Sequence, residues 1–424
     1  MMTGTQPATG KLHLVLLVFI FAIGIFLRIT PHAFSPSASL HFLASVHPQP
    51  AWEQIGFDEE LYREYVDALH KNGLGAYPDM VEGYIGAQSK MAGPILPPVR
   101  FLYIFTAYLW QTLFGGDTLE CLKQVASFFS ILTLGLAAAF AWRLRGPTWA
   151  CALAALMAFA PTQLHMSQHA MIDGFFTFWT LLALWLLWEN FAVPNDWRRL
   201  LGFGLSLALL VVTKENSFFV WLAVVALLVA NYWLQFGTTT RALLLVTIAG
   251  PLLGVVVLIF LSGGLGNLIE TYRLLVTKAS TAKYAFLTGD GPWYRYLVDL
   301  MLVSPIILVL ALAAVFRLNR AMKPELYFTI FIAASYLVMC NVKYGMNLRY
   351  ANIWDMPLRF LALSLLSNLV QPLARYRNLV LGAAVALIAA FEFHQYIVLA
   401  VRYPLYELIT HDLLQALRML KTAY

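Results

Sequence analysis

Short polar groupings interrupt an otherwise apolar chain, and their side chains are of the types that do acid–base chemistry or offset anionic charge. The first is Phe57-Asp58-Glu59-Glu60-Leu61-Tyr62. Its adjacent carboxylates are the residue type used for general acid–base work. Apolar residues at 61, 65, 66 and 69 predict a short amphipathic helix here. Asp58 and Glu59 then stand at its N-terminus, where the helix dipole favours anions, and a capping role alone also accounts for them. A second grouping runs Ala160-Pro161-Thr162-Gln163-Leu164-His165-Met166-Ser167-Gln168-His169, with Asp173 just beyond. His165, His169 and Asp173 are spaced i, i+4, i+8 and are competent metal ligands on an uninterrupted helix, although a turn between 166 and 172 would separate them. Three cations occur at similar boundaries: Lys90 before Met91-Ala92-Gly93-Pro94-Ile95-Leu96-Pro97-Pro98, Lys214 after Val212-Thr213, and Arg349 in Asn347-Leu348-Arg349-Tyr350. Snorkelling accounts equally for Lys214, and anchoring to lipid headgroups for Arg349.

The elements that must position these residues are membrane spans. Of 424 residues, 60% are hydrophobic and 12% charged, about half the charge of a soluble domain. Apolar runs near 20 residues recur, long enough to cross a bilayer. The candidates are 12–30, 122–142, 148–165, 173–190, 199–213, 216–236, 242–262, 296–316, 325–342, 355–370 and 379–400. This predicts an all-α polytopic membrane protein with about 11 transmembrane helices. The first run is too long for the apolar core of a signal peptide and reads as a retained span. The net charge of +6 is not a nucleic-acid signal, because the basic residues lie in loops beside apolar spans. Cys121, Cys151 and Cys340 have no paired spacing and imply neither disulfides nor a metal knuckle.

Charge placement sets the sidedness. Loops with Arg143 and Arg145, Arg198 and Arg199, Arg241, Arg317, Arg320 and Lys323, and Arg375 and Arg377 all fall on the side of Lys11. By the positive-inside rule that side is cytoplasmic. Counting the apolar segment 99–115 as a crossing would reverse these loops, so it is expected to lie on or dip into the outer face. The outer segments are then 31–98, 166–172, 213–216, 263–295, 343–354 and the tail after 400, and they carry nearly all the unusual polar residues. A single domain over 1–424 is expected: a helical first outer loop over 31–115, a second large outer loop over 263–295, and an amphipathic tail over 401–424 lying along the interface. Trp354 and Asp355, after Arg-Tyr, are placed to line the same cavity, but aromatic interface packing is the stronger reading. Glu392 and His394, near the outer end of the last span, imply a cavity or an interfacial position.

In order, the chain shows Asp-Glu-x-x-Tyr in the first outer loop and a Pro-Pro segment leading to Leu-Phe-Gly. An Asp then opens the fourth span, Thr-Lys ends the fifth, and Arg-Tyr lies in a late outer loop. This order, over roughly 12–360, resembles the GT-C superfamily of polyprenyl-phosphate-sugar glycosyltransferases, in particular the aminoarabinose transferase and protein O-mannosyltransferase branch. A large C-terminal soluble domain, present in some relatives, is not expected. The resemblance implies a sugar donor on a lipid phosphate, an extracytoplasmic acceptor that is lipid, glycan or protein, and transfer with inversion at an inner or plasma membrane. Such chemistry needs a carboxylate to deprotonate the acceptor and positive charge to stabilise the departing phosphate. By resemblance, Asp58 is the base or acceptor-orienting carboxylate with Glu59 beside it, and Asp173 is the second acid. Arg349 pairs with the phosphate through its planar fork, with Tyr350, Lys90 and Lys214 as further donor-binding candidates. A divalent metal ion is also compatible, held by Asp173, His169 and His165, although Ser89 stands where some relatives carry an acid. The rival readings are a transporter or flippase of a lipid-linked sugar, and a scaffold that has lost the chemistry. Against the first, no internal repeat is visible and the acids cluster at one face.

Overall fold

The computed structural model describes residues 7–50, 56–279, 281, 291–342 and 346–403. Among these residues the chain forms 17 α-helices and no strand. After α1 (Pro7–Phe26) come α2 (Phe57–Asn72), α3 (Tyr77–Lys90) and α4 (Phe101–Phe114), over the segment expected to form the first outer loop. The bundle continues through α5 (Thr118–Arg145), α6 (Pro147–Ala158), α7 (Pro161–Ser167), α8 (Ile172–Ala192), α9 (Trp197–Thr213), α10 (Ser217–Leu234) and α11 (Arg241–Leu261). It ends with α12 (Leu265–Ala279), α13 (Arg295–Val303), α14 (Pro305–Val315), α15 (Lys323–Met339), α16 (Asp355–Leu369) and α17 (Arg377–Tyr396). The chain is an integral membrane protein. Among the described residues, α5, α8, α10, α11 and the segment Gln371–Arg402 are long and apolar enough to cross a bilayer, and four shorter apolar helices accompany them.

Position in the bundle follows from which faces are covered. The most apolar stretch of α5 is 61% buried and that of α11 only 28%, so α5 is central and α11 faces lipid. Leu245, Ile248, Leu252 and Phe260 on α11 are accordingly exposed. The inner face of α11 is built for close approach. A Cβ on Gly250 would stand 2.6 Å from the Gly204 carbonyl oxygen, and one on Gly254 would stand 2.7 Å from that of Ala208. Small residues four apart let two backbones touch where lipid supplies no hydrophobic drive between helices.

Two spans that the apolar pattern predicts as continuous, 148–165 and 296–316, are broken, and the cause is proline. Pro161 opens α7 and Pro305 opens α14, each at a position where the missing N–H is tolerated. The break before Pro161 leaves carbonyls without helical partners, which is costly where no water reaches. Arg28, 1% exposed, donates from Nη2 to the Met157 oxygen (2.9 Å) and from Nη1 to that of Ala158 (3.0 Å). Its Nε donates to Ser130 Oγ at 2.9 Å. One guanidinium thus closes the gap between α6 and α7.

The predicted amphipathic helix is α2, and its apolar positions Leu61, Tyr65, Val66 and Leu69 are all buried. They pack with Val81 of α3, Ile104 of α4, Val125 of α5 and Phe175 of α8 in one apolar cluster. Segment 91–98 is tethered to this layer. Gln88 Nε2 donates to the Gly93 oxygen at 2.9 Å, the Ile95 N–H donates to Gln88 Oε1 at 2.6 Å, and the Tyr65 and Tyr77 hydroxyls donate to the Leu96 and Pro98 carbonyls. Burial pushes both phenols above their ordinary pKa and keeps them neutral donors. Of the second predicted loop, 280 and 282–290 lie outside the described residues; the rest includes α12, which the sequence pattern does not mark. Residues 404–424 of the predicted tail and 343–345 also lie outside them.

Candidate active site

Five separate parts of the chain bring charged side chains to one end of the bundle. Gly56, at φ +104, is the N-cap of α2, so Asp58 falls in the first helical turn. Asp173 occupies the first turn of α8. Lys214 and Glu215 sit in the short turn joining α9 to α10. Arg349 and Tyr350 belong to a 3-10 turn, Leu348–Trp354, whose start is fixed by Asn347 Oδ1 accepting from the Arg349 N–H at 3.0 Å. Arg100 ends the Pro-Pro segment immediately before α4.

These groups form one chain of ion pairs. Arg349 Nη1 donates to Asp58 Oδ2 at 2.7 Å, and its Nε lies 3.8 Å from Asp173 Oδ2. Lys214 Nζ donates to Asp173 Oδ1 at 2.5 Å and stands 4.0 Å above the Tyr350 ring, a cation–π contact. Side-chain exposure separates the two acids. Asp58 is 20% exposed, whereas Asp173 and Lys214 are 4% and 1% exposed. Asp58 is therefore the carboxylate an incoming group can reach, and Asp173 is the buried hub that holds Lys214 and Arg349 side by side.

Beside this chain lies a pair that the sequence reading did not single out. Arg100 grips both carboxylate oxygens of Glu215, with Nε 3.2 Å from Oε2, and its Nη1 donates to the Tyr62 hydroxyl at 2.8 Å. Burial alone would raise the Glu215 carboxyl, but Arg100 and then Lys214 hold it below its usual value. The available signal was positional: Arg100 sits between a Pro-Pro segment and an apolar helix, and Glu215 follows Lys214 in a turn too short to be a soluble loop.

Comparison with known proteins bears on the fold. A family model for dolichyl-phosphate-mannose-protein mannosyltransferase matches residues 76–269. No curated protein matches the chain. Among solved structures, the chain is similar to ArnT from Cupriavidus metallidurans in the apo state, at 17% identity and a TM-score of 0.52, covering 90% of this chain and 64% of that one. It is also similar to the archaeal oligosaccharyltransferase AglB from Archaeoglobus fulgidus in complex with an inhibitory peptide and a dolichol-phosphate. There the identity is 14% and the TM-score 0.55, covering 96% of this chain and 56% of that one. The fold is that of the GT-C glycosyltransferases. The chain spans about two thirds of ArnT and just over half of the oligosaccharyltransferase.

On this GT-C framework the sequence-derived candidates divide. Asp58, Asp173, Lys214, Arg349 and Tyr350 meet. Glu59 turns the other way: it is buried, accepts from the Ala170 N–H at 2.7 Å, and lies 3.4 Å from His169 Nδ1. It holds the connection between α7 and α8 and with it the approach to Asp173. Lys90 is exposed at the end of α3 and makes no ion pair among the described residues. The His165 and His169 rings lie tilted against each other at 4.9 Å between ring centres, but Asp173 is engaged by Lys214 and Arg349 instead of joining them. The break at 168–171 destroys the i, i+4, i+8 face that the metal expectation needed.

A zinc ion accompanies another Archaeoglobus fulgidus oligosaccharyltransferase structure, similar to this chain at 14% identity and a TM-score of 0.56 and covering 90% of this chain and 53% of that one. The donor set here does not suit a divalent ion as arranged. Asp58 and Asp173 are already paired with Arg349 and Lys214, and among the described residues no three His, Cys, Asp or Glu side chains converge.

Proposed function

We propose that the chain is a membrane glycosyltransferase that moves a sugar from a polyprenyl-phosphate carrier to an acceptor on the extracytoplasmic side. The observation that carries this reading is the Asp58–Arg349–Asp173–Lys214 chain at one end of a GT-C bundle, with one acid reachable and two cations held in fixed register. In the reaction, a lone pair on the acceptor oxygen or nitrogen attacks the anomeric carbon from the face opposite the phosphate. The new glycosidic bond forms as the bond from that carbon to the phosphate oxygen breaks, which inverts the centre. Polyprenyl phosphate leaves with the bonding pair, and the acceptor proton passes to Asp58. Arg349 and Lys214 offset the charge that develops on the leaving phosphate. Arg349 lies 2.7 Å from Asp58, so a donor phosphate would compete with that carboxylate for the guanidinium and free it to act as base. Tyr350 steers Lys214 from below.

Arg349→Lys should keep the charge but lose the fork, weakening donor binding. Arg349→Ala should weaken it further, by about 1.5–3 kcal/mol for a lost charge-assisted contact. Titration of purified protein with a polyprenyl-phosphate sugar checks both, and unchanged affinity in the two variants would reduce Arg349 to an interfacial anchor.

Sidedness is part of the proposal, with about eleven crossings placing the ion-pair chain outside and the Arg-rich turns in the cytoplasm. The native Cys121, Cys151 and Cys340 are all buried and so compete little for an aqueous maleimide; replacing them with serine or alanine removes that background. Ser37→Cys, exposed between α1 and α2, should label with an impermeant maleimide in intact cells. Thr238→Cys, exposed between α10 and α11, should label only after lysis. The opposite pattern would place the site inside the cell.

A further inference from the structure

The opposite end of the bundle holds a cavity of about 500 Å³ that the transfer chemistry does not use. It lies where α5, α6, α15, α16 and α17 end or begin, among the Arg-rich turns, and its wall is part polar and part apolar. One side is already satisfied. Glu325, buried on α15, takes Arg145 Nη2 on both oxygens at 2.7 and 2.8 Å and also accepts from Ser364 Oγ at 2.9 Å. Arg145 in turn lies 5.8 Å from the centre of the Trp149 ring, which forms another part of the wall. This side is electrically neutral and rigid.

The other side is not balanced. Arg377, the first residue of α17, donates from Nη2 to Ser367 Oγ at 3.1 Å, and no carboxylate pairs with it among the described residues. Its Nε is buried and has no hydrogen-bond partner. A buried N–H on a permanent cation that lacks an acceptor costs free energy unless something supplies one. The cavity beside it has a hydroxyl donor at Ser367, an aromatic side chain in its wall and one uncompensated positive charge. A planar guanidinium with a free edge suits phosphate oxygens.

We propose that this cavity is a second, non-catalytic site that binds a phosphate-bearing group, with Arg377 as the principal contact and Ser367 holding its fork in place. The group is the phosphodiester headgroup of an anionic phospholipid or a soluble phosphate ester; both offer the same oxygens. The inference is independent of the transferase reading, since none of its residues belongs to the ion-pair chain at the other end.

The test uses the full chain purified in a non-ionic detergent, with native mass spectrometry counting bound lipid. A short-chain phosphatidylglycerol should be retained in preference to a phosphatidylcholine of the same acyl length. Arg377→Gln should lower phosphatidylglycerol occupancy about tenfold and leave phosphatidylcholine unchanged, as expected for one lost charge-assisted contact. Arg377→Lys should fall between them and serves if the Gln variant does not fold. Arg375→Gln, on an exposed neighbour outside the cavity, should change nothing. Glycerol 1-phosphate distinguishes the sources: Arg377-dependent binding of it assigns the site to soluble esters, and lipid-only binding assigns it to headgroups. Phosphatidylglycerol retention indifferent to both Arg377 substitutions, or reduced as much by Arg375→Gln, overturns the proposal.

Discussion

Asp58→Asn is expected to fold, insert and bind a polyprenyl-phosphate sugar nearly as the parent chain does, while transfer falls on the order of 10²–10⁴-fold. Asn matches Asp in size and keeps an oxygen that Arg349 can use as an acceptor, but it cannot take a proton. The lost charge is 20% exposed and Arg349 keeps Asp173 as a second carboxylate neighbour, so the stability cost should fall below that of breaking a fully buried pair. The simplest structural alternative fails on geometry: the N-cap of α2 is Gly56, and the Asp58 carboxylate is turned to Arg349 instead of the helix N–H groups. Asp58→Glu should keep only residual transfer, because the carboxylate moves by about one bond length and position matters as much as charge. The assay is mass spectrometry of released polyprenyl phosphate after incubation with a panel of lipid-linked sugars. Wild-type rates in Asp58→Asn would remove the base from the mechanism. A carrier of lipid-linked sugars, by contrast, would release no lipid phosphate from either chain.

The bundle was legible because lipid imposes a simple code. Spans must be apolar and about 20 residues long, and among those found as helices, 173–190 and 242–262 lie within a few residues of Ile172–Ala192 and Arg241–Leu261. The breaks at Pro161 and Pro305 were less visible, because hydropathy alone does not say whether proline kinks a span or divides it. Within the site, Asp58, Asp173, Lys214 and Arg349 shared a sequence signal, namely a charged residue at the boundary of an apolar run. Which of them meet depends on packing between segments up to 291 residues apart, and no local pattern encodes that. Glu59 illustrates the limit. Beside Asp58 it looks like a partner acid, but successive residues on a helix point about 100° apart, so it turns inward to the Ala170 N–H. Arg100 and Glu215 escaped notice for the converse reason: each is an ordinary interfacial charge until the fold pairs them.

The buried partner of the site should behave differently from Asp58. Asp173 and Lys214 are 4% and 1% exposed and lie 2.5 Å apart, so neither can lose its partner cheaply. Removing one member of a buried ion pair leaves an uncompensated charge and costs about 3–5 kcal/mol, whereas replacing both with uncharged groups of similar volume is often near neutral. Asp173→Asn and Lys214→Met should therefore each destabilise the detergent-solubilised protein by an amount in that range. The double variant should be much more stable than the sum of the two predicts, a coupling that a double-mutant cycle reads directly. Transfer should not follow stability. The double variant lacks the cation beside the leaving phosphate and the acid that aligns Arg349 at 3.8 Å, so it should remain nearly inactive even when well folded. Unfolding curves and transfer rates on the same four proteins separate the roles. If activity returned together with stability in the double variant, the pair would be a structural strut, and the positive charge on the donor phosphate would have to come from Arg349 and Arg100 alone.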